Sequence, residues 1–225
     1  MPEHDLVQRT PPWERKRLGY ITSTDAKVLF AKLKSGAAPA GRRDLITRLA
    51  LCRLGCPPAL HEGYTNADMD RGVRLEKKAL NATEIFLEQP ITPVGFYTHD
   101  DPSLPLGCSP DGWIGEGIVE VKCPRPSNQI SAWELKGKTG IHTAPKKDHA
   151  QLTHLLSVTG KPFIVYTSYC EDIVPELRLY VTTITREAAA SQIVDYEKRL
   201  VECYRDIEEK VALLTALIDQ EKGRR

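Results

Sequence analysis

The 225-residue chain has no apolar run near the length of a bilayer span, which excludes a membrane-crossing helix. Its opening, "MPEHDLVQRTPPWERKRLG", lacks the apolar middle of a secretory signal, so a cytoplasmic protein is expected. Paired CxxC spacing and the dense spacing of a disulfide scaffold are both missing. The six cysteines, Cys52, Cys56, Cys108, Cys123, Cys170 and Cys203, are scattered and read as reduced, small hydrophobes. Cys52 and Cys56 stand at i and i+4, but no second pair completes a metal site, and a buried helix face is expected for them. There is no internal repeat and no low-complexity tract. Nor is there much net charge: the formal value of +1 gives no hint of a polyanionic partner.

The distribution of charge says more than its sum. Between Glu14 and Arg53 ten Lys/Arg face three acids, and between Lys122 and Lys161 seven face two. From Glu187 to Lys210 the balance reverses, with seven acids against four bases. Such asymmetry concentrates positive potential on one surface of a molecule that is near neutral overall.

The coarse pattern is helices, strands, a helix, strands and a last helix. "TSTDAKVLFAKLK" offers Thr22, Ser23 and Thr24 as N-caps and ends at "SGAAPAG"; "RRDLITRLALCRL" stops at Gly55. "NADMDRGVRLEKKALNATEIFLEQ" is a third helix, ended by Pro90. Strands are expected in "ITPVGFYT", "GIVEVKC", "KPFIVYTSY" and "ELRLYVTTI", the last two as an antiparallel pair. "KKDHAQLTHLLSVTG" is a helix closed by Gly160, and a long helix runs from Arg186 to about Leu217. Strands grouped mid-chain with helices on both sides predict an α/β (α+β) fold, a central mixed sheet flanked by helices, in one domain.

"CSPDGWIGEGIVEVKCP", residues 108–124, carries the chemistry. In a strand, Ile118, Glu120 and Lys122 share one face while Val119, Val121 and Cys123 share the other. Asp111, nine residues before Glu120 with glycines between, is placed for a hairpin that brings the two carboxylates together. On the third helix Glu76 falls within a stripe of Met69, Val73, Leu80, Thr83 and Leu87, so it is expected to face the inside of the protein. Three carboxylates and a lysine suit a hard divalent cation with oxygen ligands, and such a lysine can orient an attacking water.

"SPDG" followed by "EVKCP" resembles the PD-(D/E)XK nuclease superfamily. With "RLGYITSTD", "DRGVRLEKKA" and "HAQLTHLLSVTG", in that order from residue 17 to 160, the chain is similar to the lambda exonuclease or YqaJ recombinase branch. The resemblance implies that Asp111, Glu120 and the carbonyl of Val121 hold one Mg²⁺, that Glu76 helps hold a second, and that Mn²⁺ can replace either. It implies that Lys122 positions the water and that Gln151 supports the site; a second family glutamine is here Thr153. It assigns a terminal 5′-phosphate to Arg17 and Thr24, with Ser23 adjacent, and a DNA contact to Lys34. Met69 stands where a relative places a wedge against the terminal base pair, though its place in the stripe favours core packing.

Within one nuclease domain, the resemblance divides the chain into a basic helical part with the 5′-phosphate pocket (1–60), a catalytic core (61–185) and a closing helix (186–225). It implies an exonuclease, bacterial or phage-encoded, that digests one strand of linear duplex DNA from the 5′ end. It also implies a homotrimeric ring and a single-strand annealing partner. Two other readings stay open: a structure-specific or restriction-type endonuclease, and a DNA-end-binding scaffold that does not cut. Iron–sulfur relatives use clustered cysteines, and Cys170 and Cys203 are far apart in sequence. His142, His149 and His154 are expected to be solvated or packed, and Trp13, Trp113 and Trp133 to be anchors of the core or of an interface.

Overall fold

The strand that the alternation predicts is β5, Gly117–Lys122. It is buried on both faces, as a strand between two helical layers must be. The computed structural model describes residues 3–31, 40–58 and 66–224. Lys34 and the "SGAAPAG" linker up to Pro39 lie outside the described residues.

Around β5 the sheet has the order β4-β5-β6-β7, with β4 at Gly112–Ile114, β6 at Phe163–Tyr169 and β7 at Leu179–Thr185. β4 and β5 form an antiparallel hairpin with Gly112 opposite Val119, and the turn uses Gly115 at φ 52°, where a side chain would be strained. β5 and β6 are parallel, with Glu120 beside Tyr166, and β6 and β7 pair antiparallel as expected. A second sheet orders β1 (Glu3–His4), β2 (Phe96–Thr98) and β3 (Gly107–Cys108), all antiparallel. The mixed sheet and flanking helices agree with the fold class read from the sequence.

The parallel step from β5 to β6 needs a crossover, supplied by α5 (Pro126–Trp133) and α6 (His149–Thr159). Every residue of α6 from Leu152 to Thr159 is buried. Gly160 ends it at φ 64°. One core cluster joins Ile118 of β5 and Tyr166 of β6 to Leu152 and Leu155 of α6 and to the helices α2 (Ala26–Phe30), α3 (Ala40–Arg53) and α7 (Ala190–Gly223). Truncating a leucine such as Leu152 there would cost on the order of 2–5 kcal/mol. On the other face of the sheet, Val119, Val121 and Val165 pack on Ala79 of α4 (Ala67–Leu87). The parity of β5 is therefore as predicted.

The helices also differ from expectation in instructive ways. The buried residues of α4 are Leu75, Ala79 and Thr83, whereas Met69 is 51% and Val73 52% exposed. The core face is thus rotated from the stripe of large side chains, and core packing is not the role of Met69. Asn66 caps α4 by accepting from the Asp68 and Met69 amides, at 3.0 Å each. α3 ends in a Schellman motif, with Gly55 at φ 76° and the Cys56 amide bonded to Leu51. Cys56 lies beyond that end and is exposed, so it shares no buried face with Cys52. α1 (Pro11–Arg17) and α5 each start with proline in the first turn, where its missing N–H costs nothing. Among the described residues no helix is long and apolar enough to cross a membrane.

Candidate active site

The hairpin brings Asp111 beside β5 just beyond the last β4 pair. Its backbone amide donates to Val119 (3.1 Å), and its carboxylate Oδ2 accepts from the Val121 amide at 2.6 Å. In an extended chain a residue's N–H and C=O point to the same edge, so the Val121 carbonyl shares the Asp111 side. Glu120 is 2% exposed and its Oε1 accepts from Lys122 Nζ and from Gln151 Nε2, each at 2.5 Å. Gln151, on the first turn of α6, also accepts from Lys122 Nζ at 3.0 Å. One lysine, one glutamine and one carboxylate oxygen form a closed triangle. The second oxygen, Glu120 Oε2, is buried and has no hydrogen-bond partner among the described residues.

An unpartnered carboxylate oxygen in such a place is costly unless it meets a cation or a proton. Burial pushes Asp111 well above the usual carboxylate range, and the charge of Glu120 adds to it while Lys122 opposes. Glu120 is also raised, by burial first, with Lys122 pulling the other way. For Lys122 burial works against the charge, but Glu120, Asp111 and Asp148 outweigh it and its pKa rises. Lys122 is therefore an ammonium at neutral pH. The set of hard oxygens with an orphaned Glu120 Oε2 fits a divalent cation such as Mg²⁺.

Glu76 lines the same cleft as Lys122, Gln151, Asp148 and Met69, rather than facing the core. Its carboxylate is held by both terminal nitrogens of Arg9. Among the described residues no three His, Cys, Asp or Glu side chains close on one point. The three-carboxylate cluster expected from the sequence is thus only partly gathered, because Glu76 is turned to Arg9. Arg9 went unnoticed in the sequence, where it is one base among many. Asp148 was also missed; it is buried before α6 and accepts from the Tyr166 hydroxyl at 2.9 Å.

A second hollow is lined by Arg17, Thr24, Asp25 and Arg48, among others. Arg17 ends α1 and stacks over the Trp13 ring, 4.0 Å from its centroid. Burial lowers its pKa, and the nearby Arg48 adds to that while Asp25 opposes. Arg48 is a second guanidinium that the sequence reading did not single out; it donates to Asp25 at 3.0 Å. Thr24 is exposed and lines the hollow, whereas the Ser23 hydroxyl is buried without a partner among the described residues. α2 has five residues, and the Asp25 carboxylate already accepts from the Thr22 amide and hydroxyl at 2.9 Å. Lys27 of α2 lines the first cleft, and Thr24 and Asp25, just before α2, line the second hollow.

The remaining candidates are structural. His154 is fully buried, with Nε2 on the Gly107 carbonyl at 2.9 Å and Nδ1 on the Tyr196 hydroxyl at 2.6 Å. His142 and His149 meet edge to face, and neither is among the residues lining the cleft. Trp13 is buried and donates to Ser109 Oγ at 2.9 Å, an anchor role as expected. Thr153 bonds back to His149 O at 2.8 Å and is buried, so it takes no glutamine-like part in the triangle.

Comparison with known proteins gives the family and the fold. The structure is similar to an alkaline exonuclease, LHK-Exo, from Laribacter hongkongensis, with a TM-score of 0.75, 25% identity, and coverage of 94% of this chain and 99% of that one. The same enzyme in complex with dAMP gives 0.76 at the same identity and coverage. A phage-related exonuclease from Haemophilus somnus 129PT shares the fold, with a TM-score of 0.59 at 11% identity, over 87% of this chain and 96% of that one. No curated protein sequence matches. Residues 12–162 match the YqaJ-like viral recombinase domain, a span that holds Asp111, Glu120, Lys122 and Gln151, and the chain belongs to that family.

Proposed function

We propose that this chain hydrolyses one strand of linear double-stranded DNA from its 5′ end, using Mg²⁺, and leaves a 3′ single-stranded overhang for recombination by strand annealing. Its class as a DNA exonuclease follows from the family and from the alkaline exonuclease of the same fold. The finer reading is carried by one observation: the cleft that holds Lys122, Glu76 and Gln151 and the hollow that holds Arg17 and Arg48 are lined by neighbouring residues of one short stretch, Thr24 and Asp25 in the hollow and Lys27 in the cleft.

In this reading Asp111, Glu120 and the Val121 carbonyl hold the first Mg²⁺, and Glu76 helps hold a second. Mn²⁺ suits the same donors. Bound there, the cations would offset charge on the phosphate and acidify a water. Lys122 positions that water. Gln151 keeps Lys122 and Glu120 in register by bonding to both. Arg17, its plane fixed on Trp13, takes the terminal phosphate with Thr24, and Arg48 adds charge. A site that must first seat a terminal phosphate accepts ends and rejects continuous strand.

Met69, exposed at the cleft, would meet the terminal base pair, and Lys34 would contact DNA ahead of the cut. Leu213, Leu217 and Ile218, exposed on the last turns of α7, offer apolar surface for assembly, in keeping with a homotrimer. The overhang is the substrate that a single-strand annealing protein would consume.

The test is purified protein on linear duplex and on covalently closed circles, with Mg²⁺ or EDTA. Loss of the linear DNA with Mg²⁺ alone, while the circle survives, supports the reading. A cut circle points to an endonuclease, and binding without cutting points to a scaffold.

A further inference from the structure

Arg9 lines the cleft of Lys122 and Glu76 in an unusual backbone conformation, φ 64°, which costs a non-glycine residue about 1–2 kcal/mol. Its neighbours enforce that conformation. Gln8 Nε2 donates to the carbonyls of Val94 (2.8 Å) and Pro110 (3.0 Å), the latter next to Asp111, and Thr10 Oγ1 donates to Val7 O at 2.6 Å. Gly95 lets the segment lie against it, since a Cβ there would sit 2.3 Å from the Leu6 carbonyl. The segment before α1 is thereby clipped to the catalytic turn, and it aims a guanidinium across the cleft at Glu76.

The ion pair alone does not account for this arrangement. Arg9 is 47% and Glu76 26% exposed, and a pair so wet is worth about 0–1 kcal/mol, no more than the backbone costs. A fixed guanidinium beside the Glu76 carboxylate suits a ligand that brings a cation to the acid and anionic oxygens to the arginine. DNA backbone phosphate with divalent cations is such a ligand.

We propose that Arg9 is a DNA-phosphate contact of the active cleft, parked on Glu76 until a divalent cation takes that carboxylate. The proposal rests on the cation-dependent reading above and adds a residue and a sequence of events to it. Before DNA arrives, Arg9 competes with the cation for Glu76 and weakens its binding. Once released, Arg9 pairs with the phosphate, so DNA and cation bind with positive coupling, each favouring the other by the same factor.

The experiment compares wild type with Arg9→Gln and Arg9→Lys. Mg²⁺ is titrated calorimetrically without DNA. Binding of a 5′-phosphorylated duplex with phosphorothioate linkages at its ends is then measured in Mg²⁺ over a range of salt. Arg9→Gln is expected to tighten Mg²⁺ about twofold to fivefold without DNA, to weaken DNA binding about tenfold, and to lower the log–log salt slope by about one. Arg9→Lys, which keeps the charge without the fork, should restore the slope even if Arg9→Gln proves unstable. Unchanged Mg²⁺ affinity, or unchanged DNA affinity and slope, overturns the role of Arg9. If folded wild type binds no Mg²⁺, the cation reading itself fails, and the Arg9 proposal falls with it.

Discussion

Gln151 Nε2 donates to the same oxygen of Glu120 that Lys122 occupies, at 2.5 Å, and so leaves Glu120 Oε2 as the free face of that carboxylate. The glutamine fixes which oxygen is offered and where. Replacing Gln151 by Ala should lower Mg²⁺ affinity about tenfold to a hundredfold, as removal of an orienting partner commonly does. Calorimetric titration without DNA reads this directly, and an unchanged affinity would show that the triangle is only structural.

Lys122 is held as an ammonium by Glu120, Asp111 and Asp148 against the penalty of burial. Lys122→Ala should lower the rate of cleavage by about a hundredfold to ten-thousandfold while DNA binding stays measurable. Single-turnover kinetics beside a gel-shift titration separates the two. Full activity in the variant would remove Lys122 from the mechanism.

Arg17 on the Trp13 ring should matter only where a terminal phosphate is present. Arg17→Ala is expected to slow digestion of 5′-phosphorylated ends about tenfold or more, and to leave 5′-hydroxyl ends unchanged. Equal loss on both would make Arg17 a general DNA contact.

His154 supplies a pH dependence that is separate from catalysis. The Gly107 carbonyl can only accept, so Nε2 carries the proton and Nδ1 accepts from the Tyr196 hydroxyl. Burial pushes its pKa down to about 4. A histidine depressed on folding contributes stability that is present above its unfolded pKa of about 6.5 and is lost as pH falls towards 4, here on the order of 3 kcal/mol. Wild type should melt several degrees lower at pH 5 than at pH 7. In His154→Gln that gap should shrink even though the variant is less stable at both; an undiminished gap would place the acid sensitivity elsewhere.

Much of this was legible in residues 108–124, because strand parity and a Pro-Asp-Gly turn are local properties. β5, its hairpin partner and the meeting of Asp111 with Glu120 followed from spacing alone. The C-terminal glycine of α6 and the β6-β7 pair were equally local. Thr83 of the expected stripe is buried, but the rest of the α4 core face is Leu75 and Ala79, while the larger Met69 and Val73 border the cleft. α1 and α5 were passed over because Pro11, Pro12 and Pro126 look like breakers, although proline opens helices well. Arg9 and Arg48 had no signal in the sequence. Their roles exist only once segments 67 and 23 residues apart are closed on Glu76 and Asp25.

The most direct test of the central claim is the polarity of digestion. A linear duplex carrying a 5′-phosphate on one strand only is labelled at either end of that strand and sampled over time in Mg²⁺. The account predicts early release of the 5′ label as a small product and progressive shortening of the 3′-labelled strand, while the complementary strand stays whole. Release of the 3′ label first, or equal loss of both strands, would contradict it.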